Sequence, residues 1–191
     1  MSTGPVVLFG DSITEFWNGH PGGFFPGSNF LNKGVSGNTT GHLQKRFAAD
    51  VVKLNPSVVV FQVGINDLAE KTSSVKTKQI ASALSSMVDL SMAKGYRVVI
   101  SSTLPVAYRS GGMEVFFARR AETNKAILEL NSRYRALAAK RGAVYLDYYK
   151  ALANADGELR SEYNSDNVHL TWEAYDVMAP LVEQAVAAAT K

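Results

Sequence analysis

The sequence predicts an α/β protein: one domain of three layers, with a parallel sheet between two layers of helices. Three observations carry this. Short β-branched apolar runs recur along the chain, and amphipathic helical stretches lie between them. The apolar runs are continuous rather than alternating, the mark of strands covered on both faces. A strand–helix unit repeated about five times gives a parallel sheet, because each parallel neighbour needs a crossover connection.

The strands expected are residues 6–9, 58–63, 97–101 and 143–146, with a weaker one at 29–32. Three helical stripes fall at i, i+3, i+4, i+7 spacing. They are Ile80/Ala83/Leu84/Met87/Val88, Ile127/Leu130/Tyr134/Leu137/Ala138, and Tyr175/Met178/Ala179/Val182/Ala185/Val186/Ala189. Each would cover one side of the sheet. Lys94-Gly95 and Arg141-Gly142 read as helix ends, a basic last turn followed by a glycine. Thr171 is placed to cap the last helix, with Glu173 in its first turn. Pro180 falls inside that helix and predicts a kink or a restart. Residues 19–28, 104–112 and 156–167 are the longest irregular stretches, and there is no repeat, low-complexity segment or linker.

A chain of 191 residues supports one substantial core. Its 46% hydrophobic and 19% charged residues are ordinary for a globular domain. No apolar stretch approaches the ~20 residues of a membrane span. The first residues, Met1-Ser2-Thr3-Gly4-Pro5, carry no basic segment and no apolar core of a signal peptide. The expectation is a cytoplasmic protein, or a secreted or periplasmic one whose signal has been removed. Cysteine is absent, which excludes disulfides, thiolate metal sites and a cysteine nucleophile. The net charge of +3 is mild. Basic groups such as Arg119-Arg120 and Arg133/Arg135/Lys140/Arg141 sit mostly at helical spacing beside acids, as on solvated helix faces rather than a nucleic-acid surface.

Chemistry concentrates where the strands end, the usual ligand-binding edge of an open α/β sheet. Ser12 follows an apolar run through Gly10-Asp11, at a strand-to-helix junction where partial positive charge favours a developing anion. Taken alone, Ser12 reads more simply as a helix N-cap. Of the three histidines, His169 has an acid, Asp166, three residues before it in a loop. One short segment can thus carry both a base and the carboxylate that orients it. Gly37 in Gly34-Val35-Ser36-Gly37-Asn38 offers a backbone N–H, and Asn66 in Gly64-Ile65-Asn66-Asp67 a side-chain N–H. Singly these are turn residues; together with the Ser12 N–H they could hold an oxyanion. No second histidine or cysteine group completes a metal site around Asp166 and His169.

With these four blocks in order, the chain resembles the SGNH hydrolases, the GDSL esterase/lipase family. Phe9-Gly10-Asp11-Ser12-Ile13-Thr14, Gly34 to Thr40, Val63-Gly64-Ile65-Asn66-Asp67 and Asp166-Asn167-Val168-His169-Leu170 carry the likeness. The resemblance implies a flavodoxin-like fold with a five-stranded parallel sheet, and a single catalytic domain over 1–191. It implies Ser12 as nucleophile, His169 as base with Asp166 assisting, and Ser12, Gly37 and Asn66 as oxyanion donors. Asn167 stands where many members have glycine; asparagine also tolerates unusual turn angles, so the loop is expected to survive.

The chemistry so implied is two-step ester hydrolysis through an acyl-serine, with no cofactor or metal. Activity should fall in acid as the His169 imidazole is protonated. The substrate expected is a small-molecule ester, with short or acetyl acyl groups on a small alcohol or carbohydrate. The family also admits lysophospholipid and thioester substrates. Trp17, Phe24 and Phe25 after the nucleophile, Tyr108, Met113, Phe116 and Phe117 in or after the long loop, and Val168 are the candidate pocket walls, although Phe116 and Phe117 fit a helix core better. A non-catalytic carbohydrate-binding module would explain the same fold but not the intact Ser12, Asn66 and His169. A phosphate- or flavin-binding protein lacks its glycine motif after the first strand.

Overall fold

The computed structural model describes residues 4–70, 74–108 and 120–191. Five strands, β1 (Val6–Gly10), β2 (Phe30–Gly34), β3 (Val58–Gln62), β4 (Arg97–Ser101) and β5 (Val144–Leu146), form one sheet in the order β2-β1-β3-β4-β5. Every neighbouring pair is parallel. That is the flavodoxin-like order. The helices are α1 (Ser12–Phe16), α2 (Thr40–Asp50), α3 (Ile65–Glu70), α4 (Ser74–Ala93), α5 (Arg120–Arg141), α6 (Tyr148–Leu152) and α7 (Trp172–Ala189).

The continuous apolar strands are explained by two cores, one on each face. Val7 and Phe9, Val59 and Phe61, and Val98 and Ile100 point to one side, where Leu43 and Phe47 of α2, Leu84 of α4 and Leu130 of α5 meet them. Val6 and Leu8, Val58 and Val60, and Val99 point to the other, against Ile13 of α1, Leu152 of α6 and Met178 of α7. Alternate residues thus feed opposite cores, so neither parity can be polar. Each such side chain fully buried contributes about 1.5–3 kcal/mol.

Two local expectations are narrowed. α7 runs through Pro180 as one helix, so the chain does not restart there. Thr171 occupies the N-cap position of α7, but its hydroxyl donates to the Glu162 carbonyl at 2.9 Å instead of capping. Its N–H also donates to the Tyr163 carbonyl at 3.0 Å, which ties the start of α7 to the loop before it. The short helix α6 was not foreseen; Asp147 starts it by accepting the Lys150 N–H at 3.1 Å.

From β1 the chain goes to β2 on one side, then returns past β1 to β3 on the other. The carboxyl ends of these three strands therefore border the topological switch point, where such sheets place their ligands.

Candidate active site

The β1–α1 junction sets Ser12. Asp11, not Ser12, is the N-cap of α1: its carboxylate accepts the Ile13 N–H at 3.1 Å, and its carbonyl accepts the Glu15 N–H at 2.9 Å. The Ser12 hydroxyl is thereby spared for other chemistry. Its N–H, in the first turn, lies outside the helical hydrogen-bond ladder. Gly10 is required by space: a Cβ there would stand 2.2 Å from Thr14 Oγ1 and 2.6 Å from the Gln62 carbonyl. α1 consequently packs directly on the end of the sheet.

The loop before α7 delivers the base. His169 Nε2 lies 3.0 Å from Ser12 Oγ, and His169 Nδ1 lies 2.6 Å from Asp166 Oδ2. Burial alone would raise the Asp166 carboxyl, but hydrogen bonds from the His169 side chain and from the His169 and Val168 N–H groups outweigh it and hold it below the usual carboxylate range. An ionised Asp166 only accepts, so Nδ1 carries the proton and Nε2 is left to accept from the Ser12 hydroxyl. Asn167 supplies the bend, at φ +80°, a conformation few side chains adopt. Its N–H donates to Asn164 Oδ1 at 2.6 Å, and its carbonyl accepts the Ala107 N–H at 2.9 Å.

Opposite lie the loops after β2 and β3. Gly37 is at φ +74° in a turn closed by the Asn38 N–H on the Val35 carbonyl at 3.2 Å. Asn66, at the start of α3, donates one side-chain N–H to the Asn38 carbonyl at 3.0 Å, and its second N–H remains a donor. The two loops are therefore joined. Beneath them Asp67 accepts the Thr40 N–H at 2.9 Å and the Thr40 hydroxyl at 2.7 Å, yet burial still raises its carboxyl. Burial also pushes the Asp11 carboxyl up to about 7, with the nearby Asp67 adding to the effect and Arg46 opposing it.

Several candidate pocket residues are placed differently. Trp17 is 3% exposed and lies in the core against Phe25, Phe24 and Tyr175, where with Ile13, Thr14 and Tyr148 it borders an internal cavity of about 10 Å³. Phe25 is buried with it. The Val168 side chain is buried in the other core, and it is its backbone N–H that serves Asp166, at 3.1 Å. Tyr108 lines a pocket of about 440 Å³ with Ala107, Leu159 and Arg160; Ser12, Asp166 and His169 do not line it. Met113, Phe116 and Phe117 lie outside the described residues.

The aromatic ring beside the trio is one the sequence reading missed. Phe16 is 42% exposed and packs on the His169 ring at 4.8 Å between centroids. Its spacing of four from Ser12 on a helix was the available signal. The other histidines have structural partners: His20 bonds Asp176 at 3.1 Å, and His42 accepts the Thr39 N–H at 3.2 Å. Among the described residues no three acidic, histidine or cysteine side chains group as a metal site requires. None of the described helices is long and apolar enough to cross a membrane.

The sequence carries the pattern of the GDSL-like Lipase/Acylhydrolase family over residues 8–177. No curated protein matches it. Among solved structures it is similar to a GDSL-like lipase from Bacteroides thetaiotaomicron VPI-5482, at 32% identity and TM-score 0.85, covering 97% of this chain and 88% of that one. It shares its fold with an acetyl xylan esterase, AlAXEase, at 20% identity and TM-score 0.73, covering 95% and 99%. It likewise matches a catalytic mutant of Axe2, an acetylxylan esterase from Geobacillus stearothermophilus, at 18% identity and TM-score 0.73, covering 97% and 94%. With the motif blocks gathered on one edge of the sheet and the family pattern running through all of them, this chain belongs to the GDSL-like lipase/acylhydrolase family.

Proposed function

We propose that this chain is a serine ester hydrolase acting through an acyl-Ser12 intermediate. The observation that carries the reading is the unbroken hydrogen-bond chain Ser12–His169–Asp166, at 3.0 and 2.6 Å, drawn from opposite ends of the sequence. Ser12 Oγ attacks the acyl carbonyl while His169 Nε2 takes its proton. Asp166 steadies the imidazolium so formed. The oxyanion is held by the Ser12 and Gly37 N–H groups and the second N–H of Asn66. His169 returns the proton to the departing alcohol. Water, deprotonated by the same nitrogen, then attacks the acyl-serine; the acid leaves and Ser12 regains its hydrogen.

Acyl and alcohol groups fall on different sides of this arrangement. The alcohol oxygen must reach His169, so the alcohol lies toward His169 and the exposed ring of Phe16. Along the chain the oxyanion donors are flanked by the polar Ser36, Asn38 and Asp67, and the exposed apolar side chain of the Gly37 loop is the small Val35, which together offer a long acyl chain little apolar surface. The removal of Trp17 and Phe25 into the core has the same consequence. The substrate class favoured is a short acyl ester, acetate above all, of a small alcohol or a carbohydrate, whose ring could rest on Phe16. Acetyl xylan esterases with this fold are in keeping with that choice.

The test is hydrolysis of p-nitrophenyl esters from acetate to long acyl by wild type and Ser12→Ala. Turnover greatest for the shortest acyl groups and lost in Ser12→Ala is expected. Turnover surviving in Ser12→Ala removes the mechanism, and a preference for long chains removes the substrate class.

A further inference from the structure

We propose that Arg46 is a positioning residue for the oxyanion donors, one guanidinium that fixes the relative placement of the three segments carrying them. This rests on the esterase reading above. Arg46 lies on α2 with its side chain 17% exposed and its guanidinium 4.4 Å from the centre of the Phe9 ring. Nη2 donates to the Gly10 carbonyl at 2.7 Å, two residues before Ser12. Nε donates to Asn38 Oδ1 at 2.7 Å, one residue after Gly37. The Asn38 carbonyl in turn accepts from Asn66 Nδ2 at 3.0 Å. Nη1 completes the set on Asp50 at 2.8 Å.

A structural arginine on α2 would need only Asp50, one turn along its own helix. The other two bonds reach segments 36 and 8 residues away in sequence. Gly37 itself cannot supply the order. It is exposed, at φ +74°, and a Cβ placed on it would meet nothing within 4 Å. Its neighbours are anchored instead. On the far side Glu15 of α1 accepts both the N–H of Ser36, at 2.7 Å, and its hydroxyl. Gly37 thus hangs between two residues held by two helices. Donors to a developing oxyanion act only when placed to within about half an ångström. Lysine cannot replace this arginine, because a single ammonium lacks the planar fork that reaches separate acceptors.

The experiment compares wild type, Arg46→Met and Arg46→Lys in p-nitrophenyl acetate hydrolysis, with melting temperature as the check on folding. Inhibition by a short alkylboronic acid is measured beside it, since its tetrahedral Ser12 adduct sets an oxygen where the oxyanion forms. Expected in both variants is a fall in kcat of roughly tenfold to a hundredfold, with KM little changed and the boronate Ki raised by a comparable factor. In an Asn66→Ala background the Arg46→Met loss should shrink, because the two act on the same group. Arg46→Lys keeps the charge opposite Asp50, so it should stay folded while failing to restore kcat. The inference is overturned by either variant keeping kcat and Ki within about twofold of wild type, by a loss confined to KM, or by losses that multiply in full with Asn66→Ala. Wild-type inactivity on every ester would remove the esterase reading and this inference with it. An active wild type with unaffected Arg46 variants would remove this inference alone.

Discussion

Asp166 illustrates how one side chain meets several demands. One oxygen accepts a hydrogen bond from His169 Nδ1–H, and the other accepts from the backbone N–H groups of Val168 and His169. Replacement by asparagine would turn an amide N–H toward Nδ1 and favour the tautomer that cannot accept from Ser12. Asp166→Asn should therefore lower kcat/KM on the order of 10²–10⁴ with the fold intact, measured on p-nitrophenyl acetate beside the thermal melt. Full activity would mean that His169 is oriented by something else. Asn167 makes a separate prediction. At φ +80°, Asn167→Ala should lose about 1–2 kcal/mol in urea unfolding, and Asn167→Gly less, because glycine adopts this backbone freely. If glycine cost as much as alanine, the side-chain bond that Asn167 Oδ1 accepts from Asn164 Nδ2 at 3.4 Å, rather than the backbone conformation, would be what holds the loop. The asparagine was legible in the sequence as a residue able to stand where the family has glycine. Phe16 was not read, and Trp17 was read as a pocket wall where it is a core residue bordering a small cavity, for one geometric reason. On the short helix α1, Ser12 and Phe16 share one side, while Ile13 and Trp17, the residue that caps its end, share another and are buried. An aromatic after a nucleophile says nothing of its direction until that periodicity is applied.

Among the elements, α1 carries the most chemistry in the fewest residues, and its cap is an acid buried without full compensation. Asp11 Oδ1 accepts from Ile13, whereas Oδ2 is buried with no hydrogen-bond partner among the described residues. Burial, with a smaller push from the neighbouring Asp67, outweighs the Ile13 N–H and Arg46 and raises this carboxyl from 3.8 to about 7, and the hydroxyls of Tyr134 and Tyr175 also sense its charge. Between these pH values the folded chain holds a proton that the unfolded chain has released. Stability contributed by Asp11 is therefore complete below about pH 4 and is lost as the pH rises toward 7. Asp11→Asn retains an acceptor for Ile13 and removes the titration. Its melting temperature should exceed that of wild type at about pH 8 and converge on it near pH 4. Parallel pH profiles for the two proteins would show that Asp11 does not titrate as described. At this scale the strands were legible because two-sided burial leaves an unbroken apolar run, as in Val58 to Phe61. The Arg46 and Glu15 contacts were not. They join elements whose proximity depends on the sheet order, and a charged residue on a helix looks the same in sequence whether it faces solvent or a strand end.

At the scale of the whole molecule, the sheet order β2-β1-β3 brings three loops from separate stretches of sequence to one edge. β1 delivers Ser12, β2 is followed by Gly37 and β3 by Asn66, while the segment before α7 returns His169 to the same place. Register makes the convergence specific, since Gly10 lies opposite both Gly34 and Gln62. Four short blocks in the right order announced this meeting point, but the residues that hold the blocks together are legible only once the chain is folded. The central claim is that Ser12 attacks the ester with His169 as its base. The most direct measurement is stoichiometric labelling with a fluorophosphonate, with the modified peptide located by mass spectrometry as hydrolysis of p-nitrophenyl acetate is followed. One label per chain on Ser12, gained in step with loss of turnover and slowed sharply in His169→Ala, is the expected result. Label on another residue, or turnover persisting once Ser12 is fully modified, would contradict it.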